Sequence, residues 1–190
     1  MSDFLPHPFW NFSLEVYGVE GVAQACLDLQ DRRGCDVNVL MFCTWIGASG
    51  RGTLSVERLR TILAESQVWQ KAVVQPLRVL RRELRQGPAG SSLPPETLTA
   101  LRQKVADAEL TAEHAEQLML ASHHVQPGNR DLALRERLRA AVGNLGIYAI
   151  CLGIVPDDRD RRSVASLIAA AFPTMIRPDI ERAVGLTTTT

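Results

Sequence analysis

The sequence predicts an all-α fold: a single-domain bundle of about six to eight helices, with an apolar central helix near residues 37–48. Three observations lead there. Apolar residues recur at spacings of three and four along most of the chain, and no stretch alternates as a half-buried strand would. Glycine, proline and aspartate fall between those stretches, where helices start and stop. A chain of 190 residues with 46% hydrophobic and 22% charged content is also long enough to bury a core without a disulfide or metal staple.

Pro8 suits a first helical turn, and Phe9, Phe12 and Val16 form a short stripe behind it. Gly18 and Gly21 interrupt that stripe. Val22, Ala25, Cys26 and Leu29 recur at i, i+3, i+4 and i+7, and Gly34 is suited to end their helix. Asp36 is placed to cap the next helix, which is apolar on nearly every side. Residues 47–52 read as a turn, and Ser55 starts a helix with Val56, Leu59 and Leu63 inward. Trp69, Val73, Leu77, Leu80 and Leu84 extend the pattern as a buried face, with Pro76 expected to kink it or to begin a new segment.

A linker is expected over about residues 87–95, rich in glycine, serine and proline. Beyond it Leu98, Leu101, Val105, Ala108, Ala112, Ala115 and Met119 keep a three-four alternation typical of a coiled-coil seam. Pro127, Gly128 and Asn129 break the chain again. Leu134, Leu138, Val142, Leu145, Ala149 and Leu152 mark a further helix, and Asp157 or Asp158 caps a shorter one carrying Val164, Leu167, Ile168 and Phe172. Residues 178–184 close the fold. One domain over residues 1–186, with a frayed tail at 187–190, is the expected organisation.

Charge and targeting narrow the function classes. The 21 basic and 21 acidic residues cancel, which excludes a polycationic nucleic-acid binder and an acidic disordered chain. The cancellation conceals blocks of −4 over residues 1–50, +5 over 51–90, −3 over 91–125 and +2 over 126–190. Lys71 and Lys104 are the only lysines, so the basic residues are almost all arginine. The start lacks a basic segment followed by an apolar run, and the most apolar stretch, residues 37–46, is too short to span a bilayer. Cys26, Cys35, Cys43 and Cys151 form no CxxC pair and read as small core hydrophobes. A cytoplasmic protein without a membrane segment is expected.

The positive block has a geometry. Arg78, Arg81, Arg82 and Arg85 share one helical face, and Glu109, Glu113 and Glu116 share a face of the following helix. Antiparallel packing with ion pairs along the seam is the plain reading, and the planar guanidinium fork suits it. The competing reading is a surface for a phosphate or another acidic partner. Nucleic acid is disfavoured because no exposed aromatics interleave with the arginines.

Motifs for catalysis are missing. Asp28, Asp31, Asp36 and Asn38 gather near one helix–helix turn, where carboxylates could hold Mg²⁺ but more often cap a helix or pair with Arg32 and Arg33. Asn38, a lone amide in an apolar helix, must be hydrogen-bonded if buried. The glycines of residues 47–52 lack the Lys-Ser/Thr ending of a phosphate loop and follow a helix. His114, His123 and His124 with Glu109 and Glu113 do not make Glu-x-x-His or His-Glu-x-x-His spacing. No cofactor and no metal site is expected.

Several pieces together carry a resemblance: Phe9-Trp10-x-Phe12-Ser13, Val16-Tyr17, Gly21-Val22, Cys26-Leu27-x-Leu29-Gln30-Asp31 and Gly34-x-Asp36-Val37-Asn38-Val39-Leu40-x-Phe42-Cys43-x-Trp45. Trp69, Pro76-Leu77-Arg78-x-Leu80-Arg81-Arg82 and Glu109-Leu110-x-Ala112-Glu113-x-x-Glu116-Gln117 continue it. Over about residues 8–120 the chain resembles a small proteobacterial family of conserved helical proteins of unknown function. The resemblance implies recurrent polar positions at Gln30, Asp31, Asp36, Asn38, Arg78, Arg81, Arg82, Glu109, Glu113 and Glu116. It brings no activity, substrate or cofactor.

These readings favour a non-enzymatic module that acts through a protein partner or self-association. The alternative is a small anionic or phosphorylated ligand held by Asp31, Asp36, Asn38 and the arginine face, as a binder or an enzyme. A weaker alternative is an RNA- or ribosome-associated factor.

Overall fold

The computed structural model describes residues 6–87, 93–123 and 126–186. Residues 1–5, residues 88–92 of the expected linker, His124, Val125 and the tail 187–190 lie outside the described residues. The chain runs through α1 (Pro8–Tyr17), α2 (Val22–Arg33), α3 (Val37–Ala48), α4 (Val56–Trp69), α5 (Gln75–Glu83), α6 (Pro95–Ser122), α7 (Leu134–Leu152), α8 (Asp158–Ala171) and α9 (Arg177–Ala183). A π turn over Gln70–Val74 joins α4 to α5, so the nine α segments make eight rods among the described residues, with no strand. The all-α bundle is the fold.

Local chemistry sets the ends of these helices. The Asp36 carboxylate accepts the amides of Asn38 at 2.8 Å and Val39 at 3.4 Å, opening α3. Gly34 closes α2 with φ of 69°, a left-handed conformation that costs glycine little. Asp157 and Asp160 cap α8 reciprocally, each carboxylate accepting the other's backbone N–H at 2.8 and 2.9 Å.

Helix α3 is the centre, as its composition predicts. Every residue from Asn38 to Ala48 is buried, and the helix packs against α1, α2, α6, α7 and α8. Phe9 stacks on Trp45 at 5.0 Å and meets Phe42 edge-on at 5.8 Å. Burying side chains of this size stabilises the fold by roughly 1.5–3 kcal/mol each. At Gly47 an added Cβ would sit 2.1 Å from the Ala141 backbone nitrogen, so glycine sets how closely α3 and α7 approach. Fully buried Asn144 on α7 fastens the loop after α3: it accepts the Leu54 N–H at 2.8 Å and donates to the Cys43 and Gly52 carbonyls.

Two apolar stripes differ from the expected ones. In the stripe expected at Trp69, Val73, Leu77, Leu80 and Leu84, Leu84 is buried and Leu80 is exposed, and Val74 rather than Val73 takes the buried position. The π turn adds a residue to one turn and so rotates α5 relative to α4, in the stretch where Pro76 cannot donate to the preceding turn. On α6 the buried line runs Val105, Glu109, Ala112, Glu116 and Leu120, whereas Leu101 and Ala108 face solvent. The helix turns two glutamates inward, so the packed edge keeps Val105 and Ala112 of the expected seam but not Leu101 and Ala108.

A charged cluster that no sequence spacing assembles joins α2 to α8. Arg32 bonds Asp28, Asp157 and Asp160 at 2.7–3.2 Å. Arg33 holds Asp157 and Asp160, and Arg159 reaches back to Asp28. The cluster ties residues more than 120 positions apart. No helix among the described residues is long and apolar enough to cross a membrane.

Candidate binding cleft

Helices α1 and α2 face α5 and α6 across a cleft of about 360 Å³ whose floor is the first turn of α3. Gln30, Asp36, Asn38, Arg78, Arg81, Arg82, Glu109 and Glu113 all line it. Glu116 lies behind that lining, wholly buried, and Asp31 is exposed and outside it. A second opening of about 350 Å³ shares Gln30, Asp36, Gln70, Arg78 and Arg82 with the first, so one polar wall serves both.

The arginine face turns partly inward. Arg78 donates from Nε to Glu109 at 3.0 Å and from Nη2 to Glu113 at 2.7 Å. Arg81 donates from Nε and Nη2 to the same Glu109 carboxylate. Higher-numbered arginines thus meet lower-numbered glutamates, the expected antiparallel pairing. Burial pushes Glu109 up, but its two arginines outweigh that and hold the carboxyl below its ordinary range. Arg82 is exposed at the cleft wall and makes no ion pair among the described residues.

Glu116 takes no arginine, contrary to the expected stripe. It accepts hydrogen bonds from Ser66 at 2.7 Å, Gln70 at 2.7 Å and Asn38 at 2.8 Å. Burial, and then the charge of Asp36, push its carboxyl up to about 7 against those three donated bonds. Burial also raises Asp36, opposed by the Asn38 and Val39 amides, and it raises Glu113, opposed by Arg78.

The amide network has a direction. Asn38 must turn its Nδ2 toward the Glu116 carboxylate, which leaves Oδ1 to accept from Gln117 Nε2 at 2.8 Å. That fixes Gln117 Oε1 as an acceptor. Gln117 is only 4% exposed, lines the cleft, and its Oε1 has no hydrogen-bond partner among the described residues. Buried acceptors are rarely left this way.

The opposite wall is aromatic and apolar. Trp10, stacked on His114 at 4.2 Å, and Tyr17 stand there. Leu14 (54% exposed) and Leu27 complete it, and Leu110 (52% exposed) stands on the α6 side of the rim. Sequence reasoning missed Gln117, Ser66, Gln70 and this wall. The available signal was spacing: Ser66 and Gln70 lie four apart, and Gln117 directly follows Glu116.

Ser13 Oγ is directed to the Phe9 carbonyl and Ser66 Oγ to Glu116. Burial lifts the Cys26 thiol to about 12 and the Cys35 thiol to about 11, far from thiolate reactivity. No three His, Cys, Asp or Glu among the described residues are grouped to hold a metal ion.

A family model described as protein of unknown function (DUF2390) matches residues 8–120, more than half of the chain. The chain belongs to that family. Within DUF2390 the matched segment holds α1 to α5 and α6 to Leu120, hence both walls and the floor of the cleft. No curated protein and no solved structure matches the chain.

Proposed function

We propose that this DUF2390 protein is a non-catalytic interaction module and that the cleft between α1, α2, α5 and α6 receives its protein partner. The observation that carries the reading is a buried polar lining with one unfilled acceptor, Gln117 Oε1, framed by exposed Leu14, Leu27 and Leu110. Exposed apolar side chains around a polar recess suit a surface covered by another protein. A volume of about 360 Å³ is at the small end for a ligand pocket, which suits a single projecting side chain. The arginine donors that an anionic small molecule or RNA would need are largely engaged by Glu109 and Glu113. Four free cysteines fit a reducing cytoplasm.

The test pairs affinity purification with a rim variant. Wild-type protein should retain a stoichiometric partner that Leu14→Ser/Leu110→Ser loses, while Val155→Ser, changed at an exposed residue outside the cleft lining, keeps it. A partner indifferent to the rim, or a strictly monomeric protein with none, contradicts the reading.

A further inference from the structure

We infer that the cleft takes the alkylammonium end of a lysine side chain presented by the protein partner. The inference rests on the proposed interaction function and names what the recess recognises. Its first support is the sign of the unused hydrogen-bonding capacity. Gln117 Oε1 has no donor among the described residues. Asp36 uses Oδ1 alone for the two α3 amides, and Glu113 uses Oε1 alone for Arg78. All three line the same cleft, and each leaves an acceptor for an incoming group.

Two of the three lining arginines, by contrast, are ion-paired. Arg78 is held by Glu109 and Glu113, and Arg81 by Glu109. Of the arginines lining the cleft, Arg82 alone makes no ion pair among the described residues, and an entering anion would also face the Asp36 and Glu113 carboxyls. A cation that enters on the Asp36 and Glu113 side of the cleft, away from Arg82, meets carboxyls that burial has pushed upward and that gain from a positive neighbour.

Shape separates an ammonium from a guanidinium. The acceptors belong to the cap of α3 and to two turns of α6, not to one flat carboxylate edge that would match a planar fork. A compact –NH₃⁺ has three donors that can point to three separate acceptors. Trp10 and Tyr17 add aromatic faces of the kind that attract ammonium groups. Exposed Leu14, Leu27 and Leu110 offer apolar cover for the methylene stem and for the partner surface beside it.

An NMR titration of the isotope-labelled full chain tests this. The probes are the capped peptide Ala-Lys-Ala, its norleucine and glutamate counterparts, and free n-butylammonium. The lysine peptide should shift the Gln117 and Asn38 side-chain amides and the Trp10 indole N–H, and the two counterparts should not. Asp36→Asn, which keeps the helix cap, and Glu113→Gln should each weaken the peptide by about tenfold, the size of one lost charged hydrogen bond. Melting of Asp36→Asn within a few degrees of wild type would show that the loss is local, whereas Glu113→Gln also gives up the Arg78 ion pair and should melt somewhat lower. Shifts of the same resonances by the glutamate peptide would overturn the inference and leave the cleft an interaction site. Butylammonium binding tighter than the lysine peptide would replace a partner's lysine with a free amine, and no shift with any probe would overturn the inference outright.

Discussion

Two charged clusters hold this bundle, and they differ in how completely their hydrogen-bonding capacity is used. Between α2 and α8, Arg32 and Arg33 are shared among Asp28, Asp157 and Asp160, while the last two also cap α8. Between α5 and α6, Arg78 and Arg81 close on Glu109 and Glu113 in a similar way, but the neighbouring Asp36, Glu113 and Gln117 keep acceptors open to a cleft. Both clusters are arginine-rich and partly buried. Saturation, not charge density, separates the cluster between α2 and α8 from the one that lines the proposed binding cleft.

That contrast can be broken by substitution. Asp160→Ala should cost the most, about 3 kcal/mol, because a buried carboxylate serves two arginines and a helix cap. For a chain of this size that is a fall in Tm of roughly 6–12 °C, read by thermal denaturation. Arg78→Ala should cost about 2 kcal/mol, since it leaves Glu109 with Arg81 alone and Glu113 without its ion pair. A cost below that of Arg82→Ala would break the assignment. Arg82→Ala itself should fall within about 0.5 kcal/mol of wild type.

Asp157 of the α2–α8 cluster and Glu116, buried behind the cleft lining, should also respond to pH with opposite sign. Hydrogen bonding, first from the Asp160 amide, and Arg32 and Arg33 hold Asp157 down at about 2. Its contribution is therefore present above the unfolded carboxyl pKa and lost as pH falls from about 4 toward 2. Glu116 is raised to about 7, so the folded state holds its proton longer than the unfolded chain. Stability from that site is lost as pH rises from about 4.5 to 7. Glu116→Gln should flatten that decline in denaturant melts and leave the variant more stable than wild type at pH 8. An unchanged slope would show that Glu116 does not titrate there.

Much of the fold was legible because it rests on short-range chemistry. Asp36, Gly34 and Asp157 act at helix ends within three or four residues of themselves, and the uniform apolarity of α3 left it no place but the centre. The α5–α6 ion pairs were also legible, because two complementary three-four patterns lie on consecutive helices. The features that escaped depend on rotation or on distance. The π turn before Pro76 and the inward rotation of Glu109 and Glu116 change which face is buried without changing any local pattern. Arg32 and Arg33 find partners on α8 that no local spacing announces. Gln117 escaped for a third reason. Its significance lies in an oxygen without a partner, and only a completed hydrogen-bond network reveals that.

Gln117→Leu tests the comparison most directly when stability and binding are measured on the same protein. The variant loses one amide bond to Asn38 and removes one unsatisfied buried oxygen, effects of about 1 kcal/mol each and of opposite sign. The account predicts a Tm within a few degrees of wild type together with loss of lysine-peptide binding. A large fall in Tm, or undiminished binding, would contradict it and return Gln117 to the scaffold.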